Sequence, residues 1–268
     1  MVGHMRSIAA AVLALGLAAA AGSATAQSGN RTFAADYTVI ARGVSAGEFN
    51  FRFNQTGSTY TASATREMTG LAAAALGRSQ DYRYNVSGAV AADGTLRPAA
   101  YEHQGGRRRE DRPNGRLVRA AFTANNVVTT SVPAGMNMGD PQATTEQRRN
   151  VIDQITAIAA MVTTSGDPCS QTLRVYMDGR ARFDFAMTPN GNVTVRSRAY
   201  EGEAVRCRVA FRPIAGFTDP QEAANLTFLF ARTPSGMWAP ITIEMPTDSV
   251  GIVRLEARRI TANGQRLQ

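Results

Sequence analysis

The sequence predicts a mainly β fold in which one antiparallel sheet packs on a single amphipathic helix. Three observations predict it. Apolar and polar residues alternate in short runs along most of the chain, as where Phe49, Phe51 and Phe53 interleave with Glu48, Asn50 and Arg52; this is the period of a half-buried strand. The dipeptides Asp93-Gly94, Asp178-Gly179 and Asn190-Gly191 fall between such runs and mark hairpin turns. One stretch alone, Thr144 to Val162, changes to a helical period.

The chain of 268 residues opens with the three parts of a secretory signal. Arg6 supplies the positive start, Ile8 to Ala21 the apolar stretch and Ala24-Thr25-Ala26 a small-residue cleavage site. Residues 1–26 are therefore expected to be removed after Ala26, leaving 27–268 as one periplasmic β-rich domain. The apolar stretch is short for a membrane span, and no cysteine follows the cleavage site to take a lipid. No later stretch reaches transmembrane length, so the mature form is expected to be a soluble monomer.

Phe33 to Ile40 and Gly47 to Asn54 form the first expected hairpin, and Tyr60 to Arg66 continues the alternation. Met68 to Leu76, rich in alanine, breaks it as a short helix or an apolar tip. Strands resume at Asp81 to Gly88 and Ala99 to Gln104 around the Asp93-Gly94 turn. Arg107 to Asp111 is a charged edge or turn, and Arg116 to Phe122 pairs with Asn126 to Val132.

In the helical stretch, Thr144 and Gln147 have the spacing of a capping box. Val151, Ile155, Ile158 and Val162 then form one apolar face, supported by Ile152 and Ala159, and Gly166 and Pro168 end the helix. Such a face has to be buried against a sheet. Strands follow at Thr172 to Met177, Arg182 to Met187, Val193 to Arg198 and Ala204 to Phe211, with turns at Asp178-Gly179 and Asn190-Gly191. Leu226 to Arg232, Ala239 to Met245 and Val250 to Arg259 complete the chain. No repeat or linker divides it; two β-halves split near the helix are the alternative to one domain.

The net charge is +8, and all 29 basic residues are arginine. Losing Arg6 with the signal leaves +7. A basic balance raises the question of nucleic acid, which export argues against. It leaves anionic envelope surfaces as a partner class, beside a basic surface that is merely solvated.

Cys169, just before a strand, and Cys207, within one, are the only cysteines. In an exported chain they permit a single intramolecular disulfide, which would tie the helix exit to a later strand. Two buried free thiols are the rival reading. A redox pair lacks its C-x-x-C spacing, and a zinc site lacks partners, because the only histidines are His4, in the signal, and His103. No metal or cofactor is expected.

Catalytic groups are scarce. No G-x-S-x-G elbow, Walker loop or H-E-x-x-H motif occurs. His103 stands alone in a strand. Asp178 and Asp184 resemble the paired carboxylates of a cell-wall sugar enzyme, yet Asp178 opens an Asp-Gly turn and Asp184 lies between Phe183 and Phe185, facing outward. Trp238 either covers the end of a core or rims an apolar cavity, and Phe49, Phe51 and Phe53 either line such a cavity or fill a core.

Several blocks taken in order resemble a known family. They are D-Y-T-V-I-A-R-G-V-S-A-G from Asp36, D-G-T-L-R-P from Asp93 and D-Q-I-T-A-I from Asp153. They continue with V-Y-M-D-G-R-A-R-F-D-F, C-R-V-A-F-R-P-I-A-G-F, W-A-P-I-T-I-E and V-G-I-V-R-L. Together they resemble the exported bacterial family catalogued as domain of unknown function 3108, over nearly the whole mature chain. The resemblance implies a periplasmic β-rich domain with no catalytic residues. It further implies a curved sheet, a half-barrel or β-spiral, wrapped around the helix, similar to lipoprotein-carrier and envelope-integrity folds. The expectation is a non-enzymatic envelope protein that binds an apolar ligand, lipid or lipoprotein in the sheet's concavity. A scaffold for envelope proteins is the alternative.

Overall fold

The computed structural model describes residues 29–68, 81–106, 115–247 and 250–268. The expected signal, the Arg107 to Asp111 segment and all but Met68 of the alanine-rich stretch lie outside the described residues.

Two antiparallel meanders make up one sheet. The first comprises β1 (Arg31–Ala41), β2 (Val44–Thr56), β3 (Thr59–Met68), β4 (Tyr82–Val90), β5 (Leu96–Gly105), β6 (Arg116–Phe122) and β7 (Val127–Val132). The helix α1 (Gln154–Thr163) follows. The second meander comprises β8 (Thr172–Met177), β9 (Ala181–Arg196), β10 (Glu201–Ala215), β11 (Ala224–Arg232), β12 (Trp238–Thr247) and β13 (Gly251–Ala262), with the short β14 (Gln265–Arg266) beside β13. The order across the sheet is β7-β6-β5-β4-β3-β2-β1-β13-β12-β11-β10-β9-β8. Every step but one joins strands adjacent in sequence. The exception is β1 with β13, running from Phe33 opposite Ala262 to Ala41 opposite Val253. This pairing of the two chain ends makes the two β-halves one sheet.

The sheet curves around α1 but is not closed into a barrel, since β7 and β8 remain its edges. The edges nevertheless approach each other. Thr129 Oγ1 on β7 donates to the Gly179 carbonyl in the β8–β9 turn at 2.8 Å, and Ile152 forms a parallel bridge with Val175 on β8.

Turn chemistry explains most of the strand boundaries. Asp178 and Gly179 both take positive φ, at 53° and 69°, and Arg180 N–H closes on the Met177 carbonyl at 3.0 Å; with Met177 opposite Ala181, residues 178–180 form a three-residue hairpin connection. Asn190-Gly191 behaves differently from expectation. Asn192 faces Val205 and Pro189 faces Cys207, so Asn190 and Gly191 together oppose Arg206. Gly191 at φ +77° is thus a bulge within one long strand, not a turn between two. The chain reverses later, where Ser197 N–H reaches the Tyr200 carbonyl at 2.9 Å.

The helix also departs from expectation at its start. The Thr144–Gln147 box does form, with Thr144 N–H donating to Gln147 Oε1 at 2.9 Å and Gln147 N–H to Thr144 Oγ1 at 3.2 Å. It holds only a run of turns over 145–150, which ends where Asn150 takes φ +50° and donates its N–H to the Ala124 carbonyl. Residues 151–153 are then extended, because Ile152 donates its N–H to the Arg174 carbonyl and accepts from Tyr176 N–H. Helical structure begins only after Asp153, whose carboxylate accepts from Ile155 N–H at 2.9 Å and Thr156 N–H at 2.8 Å. Val151 therefore precedes the helix. Ile155 and Val162 are buried on it, and Ile158 is half-buried.

No side of α1 faces open solvent: Ile155, Thr156, Ala157, Ala159, Met161, Val162 and Thr163 are all buried. Ile155, Ala159 and Val162 join a core with Phe33, Phe51, Tyr60, Tyr101 and Ile241. Ala157 and Met161 join a second core with Val175, Val209, Phe228 and the two cysteines. The helix is thus a plug shared by two cores. Full burial of a side chain such as Ile155 or Met161 is worth about 1.5–3 kcal/mol.

Candidate functional site

The expected disulfide is present: Cys169 and Cys207 are bonded, with Cα atoms 5.2 Å apart and both residues fully buried. It fastens the exit of α1 to β10, beside the Gly191 bulge. Such bonds persist in oxidising compartments.

The aromatic residues expected at a cavity are mostly core. Phe51 packs against Phe33 and Phe53 stacks on Tyr60, at centroid distances of 6.2 Å and 6.0 Å, and both are buried. Phe49 is half-buried against Tyr37. Trp238 covers rather than rims. Its indole N–H donates to the Gly166 carbonyl at 2.8 Å, the Arg232 guanidinium stacks over its ring at 4.7 Å, and its body packs on the second core. The space these residues were expected to enclose is occupied by α1. The paired carboxylates do not converge on one site either. Asp184 forms an ion pair with the buried Arg182 at 2.7 Å, whereas Asp178 belongs to a different network.

That network is the chemistry hardest to see in the sequence. It sits at the end of the half-barrel where α1 begins, built from β4, β5, the β8–β9 turn and the first helical residue. Gln154 Nε2 donates to Tyr101 Oη and to Asp178 Oδ1, both at 2.7 Å. Tyr101 Oη donates to Asp178 Oδ1 at 3.1 Å and lies 3.0 Å from His103 Nδ1. Asp178 Oδ1 is 3.7 Å from the same ring nitrogen. Tyr101 has one hydroxyl proton and gives it to the carboxylate, so His103 carries its proton on Nδ1 and donates it to Tyr101. Tyr82 and Tyr84 pack beside the imidazole at 6.1 Å and 5.8 Å.

Burial is the largest influence on the imidazole and lowers its pKa; Asp178 opposes this and Arg180 and Arg66 reinforce it. Burial thus favours the neutral form of the ring. Burial likewise raises the Tyr101 phenol well above its usual range. The signal for this cluster lay in the strand period. Tyr101 and His103, and opposite them Tyr84, occupy alternate positions of the inward face. A histidine inside a curved sheet needs a partner, and the Asp-Gly turn supplies it.

Several openings surround the plugged interior, three of which bear on function. One, about 820 Å³, is a groove along the outer face of β2–β7. Its floor is made of small side chains including Thr61, Ser63, Asn85, Ser87, Ala100 and Ala121. A second, about 600 Å³, lies between the 92–96 turn, the end of α1 and the start of β8. A third, about 320 Å³, is lined by Tyr82, His103, Asp178, Arg116, Arg180 and the Gly105-Gly106 backbone. Among the described residues no three His, Cys, Asp or Glu side chains are placed to hold a metal ion, and no helix is long and apolar enough to cross a membrane.

Comparison with family models, with curated proteins and with solved structures finds no match to this chain.

Proposed function

We propose that the protein is a non-enzymatic, exported envelope protein that acts as a scaffold and holds a protein partner against the outer face of β2–β7. The observation behind this reading is that α1 occupies the concavity, while an opening of about 820 Å³ lies outside, across six strands. A floor of Thr, Ser, Asn and Ala lets another chain approach the sheet closely. The ion pair of Arg119 with Glu102, at 2.8 Å, supplies a polar border. Toward the β7 edge, Val128 and Val132 are 59% and 61% exposed and provide an apolar margin. Such a combination of apolar contact and polar rim suits a protein surface.

The periplasm is the proposed compartment. The signal-like residues 1–26 and the disulfide support it, and the ordered blocks resembling domain of unknown function 3108 agree with it. Of the two non-enzymatic expectations, the carrier is the less favoured, because the space a lipid would take is filled by Ile155, Ala159, Met161 and Val162.

The test is site-specific photo-crosslinking in the exported protein. Probes at Ser87 and Ala121 should capture the same discrete protein, and a probe at exposed Arg208 on β10 should not. Equal or absent capture at all three positions would reject the groove as the contact face.

A further inference from the structure

We propose that the 320 Å³ opening beside His103 is a binding site for a small anionic solute, one carrying a phosphate or carboxylate group. The proposal is independent of whether a protein occupies the outer groove.

The wall of the opening presents two cations, Arg116 and Arg180, with donors that no other described residue takes. Arg116 gives Nη1 to the Pro133 carbonyl and to Ser131 Oγ. Arg180 gives Nη1 to the Asn137 carbonyl. Neither forms an ion pair with a described residue, whereas Arg52 and Arg259 on the outer face share the carboxylate of Asp36 at 2.7 Å each. The remaining guanidinium N–H groups have the fork geometry that recognises oxyanions. His103 lines the same opening and is only 6% exposed. Its Nδ1 is committed to Tyr101, and its Nε2 makes no hydrogen bond with a described residue.

The backbone is shaped to leave room. Gly106 has φ +91°, and a Cβ there would stand 3.0 Å from Tyr82 Oη. A side chain at this position would crowd the phenol and fill the opening. Among the described residues Asp178 is the one carboxylate in the wall. Its Oδ1 is bound by Gln154 and Tyr101, which draws its charge toward the protein, and it faces His103 Nδ1.

The proton count follows from this geometry. With Nδ1–H directed at Tyr101, neutral His103 offers a lone pair on Nε2, which repels an anion. Protonation turns Nε2 into a donor, while Asp178 and Tyr101 stabilise the charge on the far side of the ring. Binding an anion therefore takes up one proton at His103, and affinity rises as pH falls.

Isothermal titration of the mature, oxidised protein with inorganic phosphate and with acetate, at pH 5.5 and pH 8, tests this. Saturable binding of either anion is expected, tighter at pH 5.5. Arg116→Gln and Arg180→Gln, with unchanged melting temperature, should each weaken it about tenfold or more, as expected for losing a charge-assisted contact. His103→Gln should remove the dependence on pH beyond that of each anion's own ionisation. Absence of saturation with both anions, or affinity unchanged in both arginine variants, overturns the proposal. Binding to vesicles of anionic phospholipid without binding to phosphate overturns it in favour of a membrane surface. Loss of crosslinking at Ser87 and Ala121 bears only on the groove and leaves this site untouched.

Discussion

Replacing Asp153 by asparagine isolates the most deeply placed carboxyl in the fold. Asp153 is fully buried, caps α1 and accepts from Ile155 N–H, Thr156 N–H and Thr156 Oγ1. Burial pushes its pKa from 3.8 up to about 6, against the opposing pull of the hydrogen bonds from Thr156 and Ile155. A carboxyl raised in this way binds a proton on folding between those two values. Its stabilising contribution is complete below pH 3.8 and is lost as pH rises through 6. The shift is worth about 3 kcal/mol over that window. Asp153→Asn keeps an oxygen for the two backbone N–H groups and cannot ionise. Urea unfolding of both proteins from pH 4 to pH 7 measures the effect, and groups such as His103 and Asp36 cancel in the difference between them. The variant should gain stability relative to wild type by about 2 kcal/mol between pH 4 and pH 7, most of the full shift. A difference that stays flat with pH would refute the placement of an ionisable carboxyl in the dry core around α1.

Three further outcomes follow from the same packing. Ile155→Ala leaves a hole between the helix and the first core and should cost about 2–5 kcal/mol in urea unfolding, whereas a cost under 1 kcal/mol would mean the helix is not locked in place. Replacing both Cys169 and Cys207 by alanine opens a loop with a sequence separation of 38 and should lower stability by about 4 kcal/mol in the chain-entropy account; reductant should have no effect on the variant. Gly191→Ala forces a side chain into φ +77° and should cost about 1–2 kcal/mol, where a true two-residue turn could relax by slipping its register.

Much of the strand pattern was legible because the period of two is local: Phe51 and Phe53 alternate with Arg52 and Asn54, and burial follows that alternation residue by residue. What decided the rest was non-local. The dipeptide Asn190-Gly191 announces a positive φ, but a turn and a bulge ask for the same residues, and only pairing with Arg206 on β10 separates them. The capping box at Thr144 is a real local signal, yet the bridge from Ile152 to Val175 competes with the helix over 151–153 and prevails. The β1–β13 ladder that unites the halves joins residues at opposite ends of the chain and leaves no local trace. The site was half legible. Alternation placed Tyr101 and His103 on the inner face, but Asp178 and Gln154 reach them only through the β8–β9 turn and the late start of α1.

The central claim is that α1 fills the concavity and leaves no room for a carried lipid. Native mass spectrometry of the protein purified from cells under non-denaturing conditions, paired with organic extraction of the same sample, tests it most directly. The account predicts the mass of the oxidised chain with no bound lipid and nothing apolar in the extract. One lipid retained per chain, and released only on unfolding, would contradict it.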